Sequence, residues 1–234
     1  MSEMNKDIAI IFDFNGTCIF DGVFHDKAWQ IYIEELALKE VNDEEVDKYI
    51  KGKSAKETLE HFLGYELTDN MIVQFSEEKE RIYRNILVKE NVELAPGLEG
   101  FLNYLLLARV KRTIATTANL ENMNLYFERF GLDRWFKWED VVIGAGNIPL
   151  KPHPDLFLAA IEKLGMSAEQ ILVFEDSEIG IKAALAAGIK HIIAVVGDKD
   201  SKGEHFLSRE YLDRPEIIAK VEDFTELGSI SDLI

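Results

Sequence analysis

The 234-residue chain has a single cysteine, Cys18. That excludes an internal disulfide and suits a reducing, cytoplasmic setting, with Cys18 read as a buried spectator thiol. Basic side chains are scarce, 26 Lys and Arg against 43 Asp and Glu, for a net charge of -17. This balance argues against nucleic acid and anionic membrane as partners. Long hydrophobic runs are missing, so no membrane span is expected. Met1–Lys6 is polar and the apolar run after it is short, so no secretory leader is expected either. With five prolines, no internal repeat and no low-complexity stretch, nothing reads as a linker. No feature reports on oligomeric state.

Apolar residues make up 47% of the chain, enough for a substantial core. The run Ile8-Ala9-Ile10-Ile11-Phe12 reads as a fully buried strand of a parallel sheet. A long helical stretch comes next, in pieces Asp26–Lys39, Asp43–Ile50, Ser54–Leu63 and Thr68–Leu87, with Ser54 and Glu57 spaced as a capping box. From Pro96 onward, helices and strands alternate: a helix to Leu107, strand Arg112–Ala115, helix Leu120–Phe130, short strand Val141–Ile143, helix Pro154–Leu164, strand Ile171–Phe174, helix Glu178–Ala187 and strand His191–Val196. Alternating βα units imply an α/β fold, a doubly wound parallel sheet wrapped by helices. The expected organisation is an α/β core of residues 1–20 and 90–234, interrupted by an all-helical cap of residues 21–89 that lies over the first strand end as a lid. Tyr126, Phe127, Phe130, Trp135, Phe136 and Trp138 read as core packing, and Glu77-Glu78-Lys79-Glu80 as a solvated helix face.

Chemistry concentrates at strand ends, where open α/β sheets place their sites. The first such stretch is Asp13-Phe14-Asn15-Gly16-Thr17, where Gly16 permits a sharp turn and Thr17 can hydrogen-bond locally or cap the next segment. The others are Thr116-Thr117, Lys151-Pro152-His153-Pro154 behind a Gly144–Leu150 loop, and Glu175-Asp176-Ser177. Each has an ordinary reading. An acidic pair ahead of a helix is usually an N-cap, a Thr pair is usually a turn, and a lysine before proline is usually solvated. Together they supply a nucleophilic carboxylate, a hydroxyl, an ammonium and two further carboxylates facing one crevice. A phosphoryl group and a carboxylate repel each other. A hard divalent cation and one lysine would cancel that repulsion against the protein's negative field.

With these motifs, over essentially the whole chain, the sequence resembles the haloacid dehalogenase superfamily, in the helical-cap subfamily. The Gly144–Pro154 loop and Val173–Ala184 carry the resemblance most specifically, and β-phosphoglucomutase-like phosphatases are nearest in pattern. The resemblance implies a Mg²⁺-dependent phosphatase or mutase acting on a small phosphorylated metabolite, such as a sugar phosphate. Asp13 would attack phosphorus and form an aspartyl-phosphate. The Asn15 carbonyl and Asp176 would bind Mg²⁺ together with Asp13, with Glu175 assisting. Thr116 would hydrogen-bond the phosphate, or Thr117 if the strand end is displaced by one residue. Ala118 and Asn119 extend that loop as substrate contacts. Lys151 would neutralise charge between nucleophile and phosphate. In the cap, His25, Lys51, Gly52 and Lys53 would meet the substrate.

One position departs from the pattern. Two residues past the nucleophile the family's phosphatases and mutases carry an aspartate that moves protons, and this chain has Asn15. An amide does not exchange protons near neutral pH, and loss of such a group costs about 10²–10⁴-fold in rate. Three readings are open: a slow or unusual hydrolase, an inactivated variant, or a non-catalytic phosphate-ester binder. Dehalogenases of the family lack the Glu175-Asp176 pair. Ala55 stands where the phosphonatase-like branch would need a cap lysine and the mutase an arginine. His25 remains mutase-like, with packing beside Trp29 as its ordinary explanation.

Overall fold

The structure is a computed structural model, and it describes residues 8–144, 148–200 and 202–228. By internal contacts the chain divides into two compact units, Met1–Phe20 with Glu93–Ile234, and Asp21–Val92.

The first unit is built on a six-stranded sheet. Its strands are β1 (Ala9–Phe12), β2 (Lys111–Thr116), β3 (Val142–Ile143), β4 (Ile171–Glu175), β5 (His191–Val195) and β6 (Ile217–Val221). The spatial order is β3-β2-β1-β4-β5-β6, and every pairing is parallel. β1 is central and none of its side chains is exposed, as a strand covered on both faces requires. Phe12 pairs in register with Phe174, and their rings stack at 5.1 Å. Phe101, Phe136 and Phe224 close on Phe12 from the same side. Ile11 and Val173 face the other way, into a core with Leu156, Phe157 and Ala184. The Val173–Ala184 segment needs small residues there because its helix, α8 (Glu178–Ala186), packs closely on the sheet. The other helices of this unit are α5 (Leu98–Leu107), α6 (Leu120–Phe130), α7 (Asp155–Leu164) and α9 (Arg209–Leu212).

The second unit is all-helical: α1 (Gly22–Ala37), α2 (Asp43–Tyr49), α3 (Ala55–Leu63) and α4 (Asp69–Lys89). The Ser54–Glu57 capping box forms as the spacing requires. Leu59, Ile33, Tyr32 and Val46 form its core.

Several expectations need correction. Lys79 is buried, so Glu77–Glu80 is not a solvated face; only Glu77 in it is exposed. The Lys79 ammonium instead donates to His25 Nδ1 at 2.8 Å and to Glu80 at 2.6 Å, and lies over the Trp29 ring. Trp138 is 40% exposed, meeting Phe127 edge-on, because it sits in a one-turn 3-10 segment rather than on a packed helix face. The structure adds β6 and α9, which the sequence pattern does not mark. β6 lies at the sheet edge and its burial alternates, so it carries no continuous apolar run.

Candidate active site

Asp13 comes directly after β1 and continues its ladder, donating its backbone N–H to the Phe174 carbonyl at 3.0 Å. Parallel pairing brings the carboxyl ends of β1 and β4 side by side, so Asp13, Glu175 and Asp176 converge. One oxygen from each of these carboxylates lies within 4.8 Å of the others. Lys151 bridges two of them. Its ammonium donates to Asp13 Oδ1 at 2.5 Å and to Glu175 Oε2 at 2.7 Å, with all three side chains buried. The same ammonium lies 5.1 Å from the Phe157 ring centroid.

The electrostatics arise from burial. Desolvation pushes the Asp13 carboxyl up to about 7, the Glu175 charge adds to this, and Lys151 opposes it. Desolvation likewise raises Asp176 well above the usual carboxylate range, reinforced by Glu175 and Asp13. For Lys151, burial favours the neutral amine, but the Asp13 and Glu175 carboxylates outweigh it and keep the ammonium charged. Burial also pushes the Cys18 thiol up; it donates to the Asp13 carbonyl at 3.2 Å and is an inert packing residue.

The supporting residues carry weak signals in the sequence. Thr17, fully buried, donates to Asp176 Oδ1 at 3.1 Å. Ser177 caps α8 by accepting from Gly180 N–H at 3.1 Å, and its hydroxyl donates to Glu175 Oε1 at 2.6 Å. Both Glu175 oxygens are thereby occupied. Two glycines make room for carboxylates. At Gly16, with φ of 77°, a Cβ would overlap Asp176 Oδ2; at Gly180 it would overlap the Glu175 carboxyl carbon. Tyr126, read as core, is fully buried, yet its hydroxyl accepts from the Asn15 side-chain amide at 2.8 Å.

The remaining candidates are more dispersed. Thr116 is the last residue of β2, two positions beyond Ile114, which pairs with Phe12. Its hydroxyl accepts from Ala118 N–H at 3.0 Å. Thr117 is exposed, Ala118 is buried, and Asn119 caps α6 by accepting from Asn122 N–H. Within the Gly144–Leu150 loop, residues 145–147 lie outside the described residues. The cap candidates belong to the helical unit. There His25 stacks on Tyr83 at 3.9 Å and pairs with Asp21 at 3.3 Å. Lys51 is tied to Asp47 at 2.6 Å, while Gly52 and Lys53 are exposed.

A doubly wound parallel sheet with a carboxylate–ammonium cluster at its carboxyl edge defines a Rossmann-like hydrolase fold. Residues 10–194 match the haloacid dehalogenase-like hydrolases, and the chain belongs to that family. It is 29% identical over 193 residues to the phosphorylated carbohydrates phosphatase of Thermotoga maritima, covering 80% of this chain and 85% of that protein. It is 26% identical over 194 residues to hexitol phosphatase A of Escherichia coli, covering 82% of this chain and 85% of the relative. The crystal structure of a HAD hydrolase, family IA, variant 3, from Entamoeba histolytica superposes with a TM-score of 0.85 at 29% identity, covering 97% of each chain. The chain is thus a phosphatase-like enzyme of this family. Among the described residues, no helix is long and apolar enough to cross a membrane.

Proposed function

We propose that the chain is a Mg²⁺-dependent phosphoryl-transfer hydrolase of small phosphomonoesters, working through an aspartyl-phosphate on Asp13, and slow because residue 15 is Asn. The observation that carries this reading is the Lys151 ammonium held between the Asp13 and Glu175 carboxylates. The names of two relatives, a phosphatase of phosphorylated carbohydrates and a hexitol phosphatase, support sugar or sugar-alcohol phosphates as the substrate class.

The donor set fits a hard cation. Asp13, Glu175 and Asp176 offer only oxygen; burial first, and their mutual repulsion second, raise the Asp13 and Asp176 carboxyls, and a divalent ion offsets both. Asp13, Asp176 and the Asn15 carbonyl would hold the ion. Glu175, with both oxygens already accepting hydrogen bonds, serves as the buried counter-charge that orients Lys151. Bound Mg²⁺ supplies charge neutralisation between the phosphate and the carboxylates.

In the first step an Asp13 carboxylate oxygen bonds to phosphorus, the phosphorus–ester oxygen bond breaks, and the leaving alkoxide takes a proton from solvent. In the second, water bonds to phosphorus, the bond to Asp13 breaks, inorganic phosphate leaves and the water proton passes to solvent. Lys151 keeps Asp13 oriented and offsets its charge as the anionic substrate approaches. Asn15 can move neither proton, so both steps depend on solvent.

The test is a screen of phosphorylated sugars with the parent and with Asn15→Asp. Turnover should rise about 10²–10⁴-fold, while Mg²⁺ affinity stays within about tenfold because only the backbone of residue 15 serves the ion. Asp13→Asn should abolish residual turnover. No turnover in either form, with tight binding of an ester, would replace this reading with a non-catalytic ester-binding protein.

A further inference from the structure

We propose that Tyr126 is a positioning residue for position 15. Its buried hydroxyl holds the Asn15 side chain in one orientation. That contact governs how fast the amide is lost to deamidation and how well a carboxylate at the same position performs. The catalytic half of this inference rests on the phosphoryl-transfer reading above; the chemical half does not.

The contact joins residues 111 apart in sequence, with Asn15 Nδ2 donating to Tyr126 Oη at 2.8 Å. Both sides are held firmly. The Tyr126 ring stacks on Phe14 at 4.6 Å with an interplanar angle of 21°, and on Phe130 at 6.2 Å and 28°. Phe14 and Phe130 also meet, at 6.5 Å, so the three rings form one buried group that aims the hydroxyl at residue 15. On the other side, the Phe14 carbonyl accepts from Cys18 N–H at 2.7 Å and from Ile19 N–H at 3.2 Å, which anchors the Asp13 loop. A phenol suits either occupant of position 15. A phenol oxygen accepts from an amide N–H, and a phenol O–H is a donor of the kind a carboxylate takes.

Asn15 is followed by Gly16, which offers no side chain to hinder attack on the amide. In deamidation the Gly16 backbone nitrogen bonds to Asn15 Cγ, ammonia leaves and a cyclic imide forms. Water then opens the imide to aspartate or isoaspartate. Ring closure needs the amide carbon to move onto the Gly16 nitrogen, and a hydrogen bond that fixes the amide at Tyr126 resists that movement. In Asn15→Asp the same phenol fixes one carboxylate oxygen and thereby the direction of the other.

Tyr126→Phe removes only the hydroxyl and keeps the ring stack, and thermal melting verifies that it folds. In the first arm, Asn15 protein with and without Tyr126→Phe is aged in mildly alkaline buffer and residue 15 is followed by peptide mass analysis. Deamidation should be about 2–10-fold faster without the hydroxyl, the equivalent of one ordinary hydrogen bond. In the second arm, kcat and KM are measured for Asn15→Asp and for Asn15→Asp with Tyr126→Phe, using a sugar phosphate and Mg²⁺. The expected result is a kcat about tenfold lower with KM within about twofold, since orientation is lost but binding is not. A merely structural Tyr126 would lower the melting temperature and move neither readout. An unchanged deamidation rate overturns the positioning role. An unchanged kcat in an active Asn15→Asp background overturns the catalytic half. If Asn15→Asp shows no turnover, the phosphoryl-transfer reading and the catalytic half fall together, and the ageing arm still decides whether Tyr126 holds Asn15.

Discussion

Replacing Lys151 by Met tests the charge arrangement directly. Methionine keeps the packing against Phe157 and deletes the ammonium between Asp13 and Glu175. Removing one partner of a buried ion pair costs about 3–5 kcal/mol, because it leaves the other charge uncompensated. For a protein of this size each kcal/mol moves the melting temperature by about 2–4 °C, so a drop of about 6–20 °C is expected in metal-free buffer near pH 8. The loss should shrink on acidification. The Asp13 carboxyl already binds its proton up to about 7 in the fold against 3.8 ordinarily, with Lys151 holding it down. Without the lysine the folded protein holds that proton still more tightly. Above about 7 the folded variant therefore binds a proton that the folded parent has released, so the variant gains stability relative to the parent as pH falls toward 7; below about 7 both hold it. Thermal melts of parent and variant in chelator should draw together as pH falls from the alkaline side to about 7 and keep a constant gap below it. A variant that melts with the parent near neutrality, or a gap that does not change with pH above about 7, would refute the idea that the lysine compensates two buried carboxylates.

Three further outcomes rest on the same geometry. The metal-free parent should lose stability as pH rises from 3.8 to about 7 on account of Asp13, and saturating Mg²⁺ should flatten that slope in melts run in parallel. Asp176→Ala should abolish the upward shift in melting temperature that Mg²⁺ gives the parent, read by titrating the ion during thermal melts; a full shift in the variant would remove Asp176 from the ligand set. Gly180→Ala, which in an ordinary helix would stabilise, should destabilise by about 1–3 kcal/mol and lower turnover, since its Cβ would collide with the Glu175 carboxyl; a stabilised variant would show that the carboxylate yields freely.

How much of this is legible in the sequence depends on the range over which each feature acts. Strands β1, β2, β3, β4 and β5 carry apolar runs bounded by turn residues, and the helices carry caps at fixed offsets such as Ser54 with Glu57. Both signals are local, so composition and spacing reveal them. Asp13, Lys151, Glu175 and Asp176 are legible because Asp13 follows β1 directly, Glu175 ends β4 with Asp176 after it, and Lys151 stands in the loop that leads into α7, where an α/β sheet places its chemistry. β6 escapes because an edge strand half open to solvent has no continuous apolar pattern. Lys79 escapes because a lysine among glutamates has the composition of a surface, and only its contacts with His25, Glu80 and Trp29 show otherwise.

The alternation of strands and helices, the helical insertion after the first strand and the asparagine at position 15 follow from the amino-acid order alone. These depend on periodicity, turn chemistry and side-chain type, which act within a few residues. Which side chains pair across the fold comes from packing. It made Glu175 the shared partner of Lys151 and Ser177, gave Thr17 to Asp176, demanded glycine at 16 and 180 for space, and joined Asn15 to Tyr126 across the sheet's carboxyl edge. Those contacts depend on the register of parallel strands and on where one helix lies against them. Such distances are set by packing between segments remote in the chain, and no local pattern encodes them.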